Sequence, residues 1–272
     1  MGLSTNNLRP LLDFATHLAQ LGGQVAMRHY RRADAWKKPD GSFVTRADFE
    51  VEEAIVAAIL RMDRRAQILG EEYGGARDGV SGEQWVVDPI DGTSWFALGL
   101  PIFGVLVALC VDREPILGVI HCPALAETVS AARGLGCWHQ VGTAPPVQAR
   151  VASCESIGKA HISVAGLAAT ELGSWPEDRR TCIAPLARQC GSLVTAGDCV
   201  QHALLATGRL HVAIDPIMRP WDSAAIIPCV REAGGNLGAL VEGDVPLAFA
   251  GSLISATSAG LLAQVKAALR ST

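Results

Sequence analysis

A chain of 272 residues, 49% hydrophobic and 18% charged, has room for one large domain or two closely packed halves and is too apolar to be disordered. Its net charge of −4, without a long basic run, argues against a nucleic-acid surface. The eight cysteines (Cys110, Cys122, Cys137, Cys154, Cys182, Cys190, Cys199 and Cys229) show no C-x-x-C spacing, which disfavours zinc and reads as reduced thiols of a cytoplasmic protein.

The first residues carry no basic-then-apolar signal pattern. Leu8, Leu11, Leu12, Ala15, Leu18, Ala19 and Val25 recur at helical spacing and predict an amphipathic helix to about Tyr30. Residues 37–42 form a turn at the tip of a hairpin-like excursion, and Thr45 or Asp48 is the candidate cap of a helix over 47–62. That helix should bury Val51, Ala54, Ile55, Ala58 and Ile59. A short strand over 67–70 ends at Glu71-Glu72, and a glycine-rich loop over 73–83 leads to a central strand.

That strand, Trp85-Val86-Val87-Asp88, runs into Pro89-Ile90-Asp91-Gly92-Thr93. With Pro89 forcing a turn, Asp88 and Asp91 converge beyond the sheet edge, and Asp91-Gly92-Thr93 opens a short helix. The amides of Gly92 and Thr93 face the same point, as helix N-termini face phosphate oxygens. Carboxylates beside anion-binding amides call for cations between them, so the stretch reads as a magnesium site for a phosphorylated substrate. Taken alone, Pro-x-Asp-Gly is also an ordinary turn, and the reading needs partners elsewhere.

Residues 92–111 carry no charge and are long enough to span a bilayer. Gly99, Pro101 and Gly104 interrupt them, so a short helix, a turn at 99–101 and a buried strand over 102–111 fit better than a membrane span. Strands follow over 114–121 and 127–132, with another beginning at Cys137-Trp138. Ala144-Pro145-Pro146 is the expected boundary between an N-terminal half, 1–145, and a C-terminal half, 146–272, of one compact unit. Beyond it, 161–164, 192–194 and 211–214 read as strands, and 198–207, 221–234 and 261–269 as helices.

Three more carboxylates stand at element ends: Glu71 after a strand, and Asp48 and Asp222 near helix starts. Alone, each is as well explained by capping or solvation. As a set they offer metal ligands without burying charge deep in an element. Gly70-Glu71-Glu72, Asp88-Pro89-Ile90-Asp91-Gly92-Thr93 and Trp221-Asp222-Ser223-Ala224-Ala225, in that order, resemble the inositol monophosphatase family of magnesium-dependent phosphatases. The resemblance runs from about residue 10 to the C-terminus. It implies an α+β sugar-phosphatase fold, a layered αβαβα sandwich, usually as a homodimer. It implies two or three Mg2+ ions held by Glu71, Asp88, the Ile90 carbonyl, Asp91 and Asp222. Thr93 and Glu71 would aim the attacking water, and Gly92 and Thr93 amides would grip the phosphate. Asp48 and either Lys37 or Lys38 would complete the outer shell.

Within the family, Ala196-Gly197-Asp198-Cys199 and the run from Ile214 through Gly235 look most like histidinol-phosphate phosphatases. Histidinol phosphate carries an ammonium and an imidazole, so its pocket should offer carboxylates. Matching segments place Asp198 where relatives have a small residue beside the substrate. They place Asp215 where relatives carry an acidic substrate contact. Ser94-Trp95 departs from the family pattern, with Trp95 a candidate pocket wall; Arg46 occupies a loosely specified position. The histidines show no ligand-like spacing, but His202 lies one helical turn past Asp198. The competing readings are an inositol-1-phosphatase or broad sugar-phosphate phosphatase and, in another class, a catalytically silent scaffold.

Overall fold

A computed structural model describes residues 5–39, 41–75, 81–173, 180–241 and 243–270. Part of the expected 37–42 turn, part of the 73–83 loop and the first four residues lie outside them. The described chain stacks in five layers. The outer layer is α1 (Thr5–His29) and α2 (Arg46–Met62), joined by a small hairpin of β1 (Ala35–Lys37) and β2 (Phe43–Thr45). Their apolar stripes, Leu18, Ile55 and Ile59 among them, pack on one face of a seven-stranded sheet.

That sheet runs in order β3 (Gln67–Gly70), β4 (Glu83–Asp91), β5 (Gly104–Val111), β6 (Glu114–Cys122), β7 (Glu127–Ala132), β8 (Gly136–Val141) and β9 (Val147–Ala149). Only β3 and β4 are parallel. A short α3 (Thr93–Ala97) follows β4. The proline-rich 144–146 segment thus connects two paired strands of one sheet.

The middle layer contains α5 (Asp198–Ala206), α6 (Pro220–Ala224) and α7 (Ile226–Glu232), which pack between the sheets. The second sheet has the order β11 (Ser192–Val194), β10 (His161–Val164), β12 (Val212–Asp215), β14 (Leu253–Ala256), β13 (Asn236–Gly238). Its far face is covered by α4 (Ala184–Gln189) and α8 (Ala259–Arg270). This is an α+β architecture of alternating helical and sheet layers.

Two sequence expectations change. The helix expected over 221–234 is broken in two around Ala225. Pro228 has no N–H for the carbonyl of Ala224, and its ring crowds that group. The turn expected at Pro89 is instead extended strand: β4 continues to Asp91 with a register shift between Asp88 and Asp91 opposite β5. A bulge tolerates a residue that cannot donate to the ladder. No helix among the described residues is long and apolar enough to cross a membrane; the 92–111 stretch is α3, a turn and β5.

Candidate active site

Strand parity aims the central carboxylate. Trp85 and Val87 face the outer helices and Val86 faces the middle layer, so Asp88 also points towards the middle layer. The bulge then brings Asp91 back to the same mouth. Asp222 comes from the first turn of α6, where its Oδ2 accepts the Arg219 amide at 2.6 Å. One oxygen from each of Asp88, Asp91 and Asp222 lies within 4.8 Å of the others. Asp91 Oδ2 also accepts the Cys199 amide at the start of α5, so two layers are tied together at this point.

The cluster is electrostatically uncompensated from within. Burial, then the charges of Glu71, Asp91 and Asp222, push Asp88 well above the usual carboxylate range. Burial and the charges of Asp198 and Asp222 do the same to Asp91. Burial first, with a contribution from Glu71, pushes Asp222 up to about 8 despite its backbone hydrogen bond. Asp88 is 1% exposed, and its Oδ1 has no hydrogen-bond partner. An orphaned buried carboxylate oxygen inside an all-oxygen donor set fits a divalent cation.

Around this centre the other predicted residues fall as follows. Asp48 is fully buried in the first turn of α2, with Thr45 as the N-cap. Its Oδ2 accepts the Thr45 amide (2.8 Å) and hydroxyl (2.6 Å), and its Oδ1 accepts from Thr93 Oγ1 at 3.1 Å. Thr93 Oγ1 also lies 2.9 Å from the Ile90 carbonyl oxygen. Burial, opposed by the Thr45 hydrogen bonds, pushes Asp48 up to about 6. Glu71 stands beside the triad, and its charge raises Asp88, Asp48 and Asp222. Lys38 Nζ bonds Glu71 at 2.8 Å and Glu72 at 2.6 Å. Burial opposes the Lys38 charge, but the hydrogen bonds to both glutamates hold its pKa raised. Lys37 lies 5.6 Å over the Phe43 ring instead.

Gly92 caps α3 at φ +87°; a Cβ there would come within 2.9 Å of the Ile102 carbonyl and 3.0 Å of Asp198 Oδ2. Asp198 itself opens α5 at φ +38°. Burial and the charge of Asp215 push it up to about 7, against a hydrogen bond from Trp95. Trp95 also packs so closely that a Cβ on Gly197 would sit 2.7 Å from its Nε1. Asp215 ends β12, 4% exposed.

Glu52 and Gln201 escaped the sequence reading, and His202, singled out there, was given no role. Glu52, 1% exposed, accepts the amides of Glu72 (2.8 Å) and Tyr73 (3.0 Å) and so fixes the chain carrying Glu71. Its signal was available: Glu52 falls on the apolar stripe of Ile55 and Ile59. Asp215 is held by His202 and Gln201, a pairing between elements that spacing does not reveal.

The inositol monophosphatase family model matches residues 7–270. A histidinol-phosphatase of Chlorobaculum parvum is 36% identical over 230 residues, covering 84% of this chain and 85% of that protein. A histidinol-phosphatase of Mycobacterium tuberculosis is 38% identical over 205 residues, covering 75% and 76%. The solved structure of an IMPase from Thermotoga maritima superposes with a TM-score of 0.81 at 28% identity, covering 96% of each chain.

Proposed function

The chain belongs to the inositol monophosphatase family and is a phosphatase, and from that premise we propose that it hydrolyses L-histidinol phosphate with magnesium, releasing L-histidinol and phosphate in histidine biosynthesis. The observation that carries the substrate choice is a second pair of carboxylates, Asp198 and Asp215, close enough to raise Asp198 and set against the Asp91 side of the triad. A cationic leaving group relieves that repulsion; a neutral polyol does not. The histidinol-phosphatase relatives support the same choice.

Glu71, Asp88, Asp91, Asp222 and the Ile90 carbonyl would hold two or three Mg2+ ions, which supply charge neutralisation and Lewis acidity towards the phosphate. The chain's own groups do the rest. Were the Ile90 carbonyl taken up by an ion, the Thr93 hydroxyl would donate its hydrogen bond to Asp48 Oδ1 alone, 3.1 Å away. Its lone pairs are then free to accept a hydrogen bond from the attacking water. Glu71 accepts the water's proton. Lys38 holds Glu71 from behind at 2.8 Å, which supports Lys38 over Lys37 as the outer-shell lysine. Gly92 and Thr93 amides grip phosphate oxygens, and in-line attack breaks the ester P–O bond without a phosphoenzyme, the leaving alkoxide taking a proton from solvent water to depart as the alcohol. The chain acts as a cytoplasmic homodimer in this reading, and the two halves meet at the site.

The test is the steady-state turnover of histidinol phosphate against inositol 1-phosphate with magnesium. Histidinol phosphate should be preferred, and Asp198→Ala should lower kcat/KM for it about tenfold, the worth of one charge-assisted contact, while sparing a neutral ester. Faster turnover of inositol 1-phosphate would give the enzyme to the polyol reading.

A further inference from the structure

Asp215 is anchored in an unusual way. Its Oδ2 takes two donors, His202 Nε2 at 2.6 Å and Gln201 Nε2 at 2.5 Å. Both of these bonds fall on the same oxygen and leave Oδ1 outside the clamp. The ring of His202 is fully buried and fixed at its other end, where Nδ1 lies 2.8 Å from Ser255 Oγ. Ser255 is itself fully buried on β14, opposite Ala213 in the register that pairs Asp215 with Leu253. Strand parity turns Ala213, Asp215 and Ser255 to the same face, towards α5. The chain from β14 through His202 to Asp215 is therefore continuous, buried and rigid. A carboxylate oxygen is the acceptor at its end, so His202 Nε2 carries the proton.

We propose that His202 is a positioning residue for substrate specificity: braced by Ser255, it clamps one oxygen of Asp215 so that the other is presented to the cationic end of the leaving group. This rests on the reading of Asp215 as a substrate contact. A carboxylate at a strand end with a free χ1 samples several rotamers, and ordering it on binding would cost affinity. The imidazole bears that cost during folding. The consequence falls on substrate binding rather than on the phosphate chemistry, because the hydrogen bonds of His202 go to Ser255 and Asp215 and not to Asp88, Asp91 or Asp222.

The experiment is a double-mutant cycle of His202→Phe and Asp215→Asn in the full chain with magnesium, read as KM and kcat on histidinol phosphate and on inositol 1-phosphate. Each single variant should raise KM for the preferred ester about tenfold with kcat within about twofold. The double variant should be no worse than either single one, because both break the same contact. His202→Gln, which retains a donor, should recover most of the loss, and Ser255→Ala should show a smaller KM rise of the same kind. Should His202→Phe fail to fold, the Gln and Ala variants carry the test in its place. Additive losses, a fall in kcat equal on both esters, or no KM change would overturn the proposal. Wild-type preference for inositol 1-phosphate would sink the substrate assignment, while the cycle would still decide whether His202 acts through Asp215.

Discussion

Asp91 carries three constraints at once. It shares the triad with Asp88 and Asp222, accepts the Cys199 amide, and feels the charge of Asp198. Asp91→Asn keeps an acceptor for the amide and nearly the same shape but removes one charge from a self-repelling set. Turnover should fall by about a hundredfold or more, as when a preorganised charge at a reacting centre is lost. The metal-free variant should nevertheless melt higher than metal-free wild type, since a buried charge with no internal counter-ion has gone. Phosphate release and a thermal melt in chelator read the two effects. Near-normal turnover would remove Asp91 from the mechanism, and a lower melting point would show that its charge is already compensated. Thr45→Ala probes a different quantity at the same scale. It removes the hydroxyl that bonds Asp48 and caps α2, and should cost about 1 kcal/mol of stability in denaturant unfolding.

At the scale of elements, the site depends on how β3 hands Glu71 to the mouth. Gly70 ends that strand, and a Cβ there would fall 1.8 Å from Glu52 Oε1. Gly70→Ala must displace Glu52 from the amides of Glu72 and Tyr73 or move β3. It should cost about 1–3 kcal/mol and raise the magnesium concentration needed for half-maximal activity. Gly260→Ala in α8 is the control, because nothing lies within 4 Å of its added methyl; it should be neutral or slightly stabilising. Equal behaviour of the two variants would separate Glu52 from metal binding. The long elements were legible because their apolar patterns extend over many residues: α1, α2 and the antiparallel run β5–β7 follow their periodicity closely. What misled was local. Pro89 signals a turn, yet the bulge absorbs it, and Pro228 breaks a helix whose apolar pattern continues through it. Strands as short as β9 and β13 carry too few residues for a period to show. The acidic cluster of Asp88, Asp91 and Asp222 was legible because each carboxylate stands within a motif, even though Asp88 lies inside β4 rather than at its end. Which of Lys37 and Lys38 pairs with Glu71 was not, since it depends on which way a three-residue strand faces once the hairpin packs.

Across the whole molecule, the layers converge on one concentration of negative charge: Asp48 from the outer helices, Asp88 and Asp91 from the first sheet, Asp198 and Asp222 from the middle helices, Asp215 from the second sheet. The unfolded chain spreads these groups apart and loses their protons near pH 4. The folded chain holds those of Asp48, Asp198 and Asp222 longer, through about 6, 7 and 8 respectively, chiefly because burial disfavours the charged forms. A folded state that binds more protons than the unfolded one loses stability as pH rises. The associated stability is complete below the ordinary carboxylate value and disappears through the raised ones. His121 acts in the opposite sense, since burial lowers it to about 4, but its contribution changes only below about pH 6.5. The informative window is therefore pH 6.5 to 8. In chelator, the melting temperature should fall across that window. Saturating magnesium should remove most of the fall, because cations replace the protons and bind only the folded arrangement. Melts at both pH values, with and without magnesium, give the comparison. A metal-free profile that is flat or rising would mean that burial does not raise these carboxylates as their placement requires. A magnesium effect no larger at pH 8 than at 6.5 would mean that the ions bind somewhere else.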